Sequence, residues 1–194
     1  MTANDDILIE QFLNGDETAF AQIVSRHKQL VFQFIVSKVA DMELAADLTQ
    51  DVFVKLFKHA NQYRGMGKFR SWLFKIAQNI CIDAHRKQPK ARILSLNSAE
   101  KSNEGEIEFV REIEAPDENP AAEYEAKEMK GLVDRVLASL SEKHRTAFIL
   151  CQFQGLSYPE IAEIQDCPVG TVKSRIHTAL TRIRDFLKEN ECLY

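Results

Sequence analysis

Residues 155–187 read GLSYPEIAEIQDCPVGTVKSRIHTALTRIRDFL, and the fold class turns on this stretch. Ser157 followed three residues later by Glu160 is a capping-box pattern, with the serine placed to accept the Glu160 amide and the glutamate to reach back, so a helix starts at Ser157. Ile161, Ala162 and Ile164 supply its buried side. The run Gln165 to Gly170, holding Pro168 and Gly170, makes a short connection to a second helix. There Val172, Ile176, Leu180, Ile183 and Leu187 form one apolar stripe, leaving Lys173, Ser174, His177, Thr178 and Thr181 on the far side. The pattern is helix, turn, helix. Small and hydrogen-bonding side chains at the start of the second helix can approach base edges in a major groove, while Arg175, Arg182 and Arg184 suit phosphates or local ion pairs. Taken alone, the same pattern also describes a plain helical hairpin in a bundle.

The rest of the chain carries the same period. Phe20, Ile23, Val24, His27, Val31, Phe34 and Ile35 recur at three- and four-residue intervals, as do Phe69, Leu73, Ile76, Ile80 and Ala84. The 7 glycines and 5 prolines leave long spans (Asp16 to Arg64, Lys68 to Gln88, Leu132 to Gln154) with neither, which favours helix over strands and tight turns. The expected fold class is therefore all-α. With 194 residues, 45% apolar and 28% charged, the chain has enough hydrophobic side chains for a core and is too apolar for a wholly disordered one. No apolar run approaches the ~18 to 20 residues that span a bilayer, and MTANDDILIEQ lacks the layout of a signal peptide. A cytoplasmic location is expected. Cys81, Cys151, Cys167 and Cys192 contain no CxxC pair and read as reduced thiols.

Charge divides the chain further. The formal net charge is -4, but Glu100 to Glu125 alone holds ten acidic and two basic residues, a net of -8. Removing it leaves +4, so an acidic linker hides two basic bodies. Arg64 to Arg92 holds eight basic residues against Asp83, and Pro168 to Lys188 holds five against Asp185. Such density suits a polyanion, although a lone charge cluster is more often a solvated helix face. The expected boundaries are a first helical domain over 1–92, an acidic flexible linker over 93–122 and a second helical domain over 123–194.

Two segments of the first domain stand out. In DMELAADLTQDVFVKLFK (41–58), Ala45, Leu48, Val52 and Leu56 line one face and Glu43, Asp47, Gln50, Asp51 and Val54 the other; by itself the acidic face reads as solvated. In HANQYRGMGKFRSWLFKIAQNICIDAHRK (59–87), Tyr63, Phe69, Trp72 and Phe74 alternate with Arg64, Lys68, Arg70 and Lys75 around a loop loosened by Gly65 and Gly67. A base can stack on a ring while a neighbouring cation neutralises its phosphate, a combination typical of single-strand binding. Phe69 and Leu73 are expected in the core, and Trp72 fits core packing as well as it fits a base. Asn79 and Arg86 follow Trp72 at spacings of seven and extend its side.

The motifs DLTQDVF, FRSWLFKIAQN and LSYPEIAEIQDCPVGTVKSRI, in this order across an acidic linker, make the chain resemble the extracytoplasmic-function sigma factors of bacterial RNA polymerase. The resemblance covers nearly the whole chain. It implies two helical domains, sigma region 2 and sigma region 4, in a protein that is no enzyme and needs no cofactor. Its implied partners are core RNA polymerase, met at the clamp helices of the largest subunit and at the flap, promoter DNA, and an anti-sigma factor, often membrane-bound, that silences it until a stress signal. By position, Asp47, Gln50 and Asp51 would dock on the clamp helices. The segment Asn61 to Phe69 with Trp72 and Asn79 would capture a flipped minus-10 base, making Tyr63, Arg64, Lys68, Arg70, Trp72, Asn79 and Arg86 the candidate minus-10 residues. Thr171, Lys173, Ser174, Arg175, His177, Thr178 and Arg182 would meet the minus-35 duplex. Relatives often carry arginine where Lys173 and Thr178 stand here, so a bidentate contact to guanine is lost and the preferred sequence should differ.

Two other classes compete. A stand-alone regulator could use the helix-turn-helix as a dimer on a palindrome. A metal protein or enzyme could use Cys81 and His85, four apart on a helix near Asp83, but two potential ligands do not make a site, and His85 beside Arg86 and Lys87 fits phosphate or solvent better.

Overall fold

The computed structural model describes residues 4–39, 41–65, 67–87 and 131–189. The expected linker over 93–122 lies outside them. Among the described residues the chain is all-α, as its periodicity requires: α1 (Asp5–Leu13), α2 (Glu17–Val36), α3 (Met42–His59), a 3₁₀ turn (Ala60–Gln62), α4 (Phe69–Lys87), α5 (131–138), α6 (Glu142–Gln152), α7 (Tyr158–Gln165) and α8 (Val169–Glu189).

Short polar side chains start these helices. Asn4, Asp16 and Asp41 accept the backbone N–H of Asp6, Thr18 and Leu44 at 3.4, 2.9 and 3.0 Å, satisfying amides that have no partner inside the helix. At α7, Glu160 reaches back as expected, its Oε2 accepting both the amide and the hydroxyl of Ser157 at 2.8 and 2.6 Å.

In the first body α1 packs on α2, α2 on α3 and α4, and α3 on α4. The seam is apolar: Ile23, Val31, Leu56 and Leu73 are fully buried, and Phe34 meets Phe74 edge to face at 5.3 Å. His27 is buried in that seam, its Nε2 3.0 Å from an Asp5 oxygen. Burial lowers its pKa against the upward pull of Asp5, and Arg70 and Arg26 push the same way as burial.

In the second body α6 and α7 pack on α8 and on each other around Leu140, Ile149, Leu150, Ile161, Ile164, Val172 and Ile176. The turn between α7 and α8 is tighter than the sequence suggests. Asp166 adopts a left-handed conformation (φ 47°) that ends α7, the Cys167 amide donates to Ala162 O at 3.1 Å, and Pro168 O accepts from Thr171 N at 2.9 Å. Gly170 therefore belongs to the first turn of α8 rather than to the connection. The buried stripe of α8 also corrects the expected one. It runs through Val172, Ile176 and Ala179, while Leu180 is 42% exposed, because position 179 and not 180 completes two turns from 172.

Phe34→Ala should cost about 3 to 5 kcal/mol in urea unfolding, the range for an aromatic removed from a packed core. Val54→Ala, on the exposed side of α3, should stay within about 0.5 kcal/mol; a comparable loss at both positions would mean that the α3 face is packed in solution.

Candidate functional site

Three surfaces gather the residues singled out from the sequence. On α3, every outward residue expected is outward: Asp47, Gln50 and Asp51 are exposed, and Val54 is 50% exposed at the next turn. Phe57, which the sequence reading missed, continues the row at 52% exposure and leans on Phe12 and Phe20 at 5.0 and 5.2 Å between ring centroids. Its spacing from Val54 and Gln50 was the available signal. An acidic half followed by an apolar half suits a protein partner.

The second surface is α4 with the loop before it. Trp72 is half-buried and stacks on Tyr63, centroids 5.1 Å apart at 28°. Phe69 is in the core, 2% exposed, touching both rings edge-on. One face of the Tyr63–Trp72 pair is thus used for packing while its rim remains open. Arg64 and Lys68 are exposed, Arg70 and Asn79 are half-buried with Arg70 Nε buried and unpartnered, and Arg86 lies far along the helix, 3.9 Å from Asp83. Cys81 is buried, and burial pushes its thiol up to about 12, while His85 one turn on is exposed.

On α8, Lys173, Ser174 and His177 are exposed along one side, with Thr171 and Thr178 half-buried at its margin. Ser174 Oγ donates to Thr171 O at 2.9 Å. Arg182 is exposed further along. Arg175 faces elsewhere: its NH1 donates to Gln165 Oε1 at 2.5 Å and approaches Cys167 Sγ at 3.3 Å, so it braces the turn.

The two bodies meet directly, α7 lying against α4. Lys75 Nζ donates to the carbonyls of Glu163 and Ile164 at 2.9 and 3.1 Å and to Asp166 Oδ1 at 2.6 Å, at the end of α7 where backbone carbonyls concentrate negative charge. Lys68 Nζ reaches Glu163 at 3.0 Å, and the Ser71 hydroxyl donates to Glu160 at 3.0 Å. Burial alone would raise the Glu160 carboxyl, but the hydrogen bonds from Ser157 and Ser71, with Lys68 nearby, hold it below its ordinary value. A second contact puts Lys38, its side chain 4% exposed, on Glu142 and on the Thr146 hydroxyl at 3.2 and 2.5 Å; burial lowers the Lys38 pKa against the pull of Glu142. Between α4 and α7 lies an open groove of about 240 Å³, walled by Tyr63, Arg64, Lys68, Trp72 and Lys75 on one side and Glu163 and Ile164 on the other. None of these contacts was foreseen from the sequence.

Comparison with known proteins fits this arrangement. Residues 23–91 match the family model of Sigma-70 region 2, and residues 130–183 that of Sigma-70 region 4. An extracytoplasmic-function RNA polymerase sigma-E factor of Haemophilus influenzae is 32% identical over 184 residues, covering 93% of this chain and 94% of its own. Its counterpart in Escherichia coli K12 is 33% identical over 179 residues, 90% of each chain. Two solved structures share the fold. One is CnrH in complex with the cytosolic domain of CnrY (TM-score 0.66, 24% identity, 96% of this chain and 99% of that one). The other is the sigma factor RpoE with the anti-sigma factor NepR from Bartonella quintana (TM-score 0.65, 23% identity, 87% and 96%).

Neutralising the acidic side of the junction with Glu163→Gln and Asp166→Asn should loosen it. Exposed ion pairs hold weakly, so the shift in the closed-to-open ratio should be about twofold to tenfold, read as a larger radius of gyration in small-angle scattering. Added salt should move the native protein the same way and the variant less.

Proposed function

This chain belongs to the extracytoplasmic-function RNA polymerase sigma factors, and we propose on that premise how its surfaces share one task, directing core polymerase to promoters and opening them. Region 2, taken as residues 1–92, docks on the clamp helices of the largest subunit through Asp47, Gln50 and Asp51, with Val54 and Phe57 as the apolar end of the same row. Region 4, taken as 123–194, reads the minus-35 duplex with Lys173, Ser174, His177 and Thr178 and leans on the flap. Thr171 and Arg182 are assigned to phosphates there, whereas Arg175 serves the turn. The minus-10 strand is taken up by the loop and α4, with Tyr63, Arg64, Lys68, Arg70, Trp72, Asn79 and Arg86 along its path.

The observation that carries this reading is the meeting of a stacked ring pair and several cations on one surface, the loop and α4 wall of the groove. Extruding a base costs a few kcal/mol, and each stacking contact returns about 1 to 3 kcal/mol. Binding alone then drives melting, and no catalytic group is required. The same surface explains why the free protein is expected to bind promoter DNA poorly: Lys68 and Lys75 are engaged by α7, and polymerase must draw the bodies apart before a strand takes its place. We assign an anti-sigma factor as a further partner, by analogy with the NepR-bound relative, and the cytoplasm, where core polymerase works, as its location. Among the described residues no helix is long and apolar enough to cross a membrane. A stand-alone regulator is the less favoured reading, since the region 2 likeness gives the first domain a task of its own.

Transcription by purified core polymerase plus this protein, from the promoter upstream of its own gene, tests the reading as a whole. Charge reversal at Asp47 and Asp51 should weaken core binding in a competition assay with the fold intact by circular dichroism. The cost is about 2 to 5 kcal/mol if the pair becomes buried and much less at a rim; unchanged affinity would return the face to solvent.

On the minus-35 side, Lys173→Ala should alter preference at one or two base pairs by roughly 1 to 3 kcal/mol each. Arg182→Ala should weaken all sequences alike and lower the salt slope by about one. Selection from randomised minus-35 libraries separates the two, and a uniform loss for Lys173→Ala would reassign that lysine to the backbone.

A further inference from the structure

Among its described residues, the loop between Tyr63 and Phe69 has few ties of its own, the Lys68 backbone N–H to the Tyr63 phenol oxygen being one. Gly65 and Gly67 both sit at positive φ, 76° and 69°, with open space where a Cβ would stand, so neither packing nor an ordinary backbone well fixes them. Further fixing comes from the other end of the domain. Asp6, in the first turn of α1, gives one carboxylate oxygen to each end of the loop: Oδ1 accepts the Tyr63 hydroxyl at 2.5 Å, and Oδ2 accepts the Gly67 amide at 2.7 Å. Both bonds are charge-assisted and therefore among the stronger kinds.

Asp6 is itself held in place. The neighbouring Asp5 binds Arg26 NH1 at 2.5 Å and His27 Nε2 at 3.0 Å on α2, and Leu8 and Ile9 are buried beneath α1. Adjacent carboxylates thus face two ways, one anchoring α1 to α2 and the other holding the loop. Through Tyr63 the hold extends to the stacked ring of Trp72. Burial and the Asp6 carboxylate also push the Tyr63 phenol upward, keeping it a donor at any working pH. Asp5, Asp6, Leu8 and Ile9 lie before residue 23, where the match to Sigma-70 region 2 begins, and the residues they hold lie within it.

We infer that Asp6 is the positioning residue for minus-10 base capture, holding Tyr63 and Gly67 so that the loop and the Tyr63–Trp72 pair stand preformed to receive an extruded base. The inference rests on the reading of this loop as the capture site. Its physical content is preorganisation: a loop with two left-handed glycines would otherwise lose conformational freedom on binding, and that loss would be subtracted from the stacking gained.

The test uses holoenzyme assembled with the native protein, with Asp6→Asn and with Tyr63→Phe. The probes are a single-stranded minus-10 oligonucleotide and a set carrying one abasic site at each position in turn. The native holoenzyme should lose about tenfold in affinity when the captured base is missing. Asp6→Asn leaves one acceptor oxygen and no charge to share between the Tyr63 hydroxyl and the Gly67 N–H, so it should cut that ratio to about threefold or less, with affinity for the abasic strand and for core polymerase unchanged. Tyr63→Phe, which leaves α1 untouched, should lower the ratio too and decides the matter should Asp6→Asn fail to fold. An undiminished ratio in both variants overturns the inference, as does an equal loss on every oligonucleotide, which would make Asp6 a structural tie only. A native holoenzyme indifferent to every abasic site overturns the capture reading itself, and the inference with it.

Discussion

Lys75 is claimed by three oxygens of α7, and much of the molecule's arrangement follows from that competition. Its ammonium sits at the end of a short helix, on two backbone carbonyls and the Asp166 carboxylate. All three N–H donors of the ammonium are taken, so a phosphate gains one only by displacing an oxygen already there. On the proposed reading, the face of α4 that carries Lys68, Ser71 and Lys75 therefore presents either to the second body of the same chain or to a nucleic-acid strand. Because the α7 carboxylates are largely exposed, the contact is weak enough to exchange. The Lys38 contact is of a different kind, with the ammonium almost wholly enclosed, so opening the junction releases a desolvated charge back to water as well as breaking its pair.

The scaffold beneath this exchange is rigid for reasons local to the sequence. Asp16 and Asp41 cap long helices whose apolar stripes converge on Phe34, Phe74, Leu56 and Leu73. That convergence turns the remaining faces of α3 and α4 outward without further help. Each helix then divides its residues between core and partner, which is why a deletion of a core ring and a change of a surface charge have separable effects. The loop before α4 is the exception, since no stripe dictates its shape and one carboxylate bonds both Tyr63 and Gly67.

Most of the fold was legible, and the pattern of what was missed has a physical cause. Ala45, Leu48, Val52 and Leu56 are buried and their opposite face is exposed, as a 3.6-residue period demands. The Ser157–Glu160 cap and the helix-turn-helix followed from residues three to thirteen apart. Errors arose where one residue of phase mattered, as at Ala179 for Leu180 and Gly170 in α8. Contacts between positions far apart in the chain were invisible: Asp6 on Tyr63 and Gly67, Ser71 on Glu160, and Lys75 on Asp166 join residues separated by 57, 61, 89 and 91 positions. Of the candidate site, residue types and faces could be read, whereas which cations were already engaged could not. Arg175 shows this best, since its charge suggested a phosphate or a local ion pair and its partners turned out to be Gln165 and Cys167.

Net charge misleads in this protein for the same reason that it is informative. A total of -4 would repel a polyanion, yet -8 of it lies in one segment and the remainder sums to +4. Screening at physiological salt acts over about 8 Å, so a strand proposed on α4 would feel chiefly Arg64, Lys68, Lys75 and whatever charges stand close to them. What a strand does feel is the acidic side chains placed within a few ångströms of those cations, Glu163 and Asp166. Local geometry, and not the sum, decides whether this surface is open to DNA. On the proposed reading, domain separation on polymerase removes those two carboxylates from the neighbourhood at one stroke and converts a neutralised face into a cationic one.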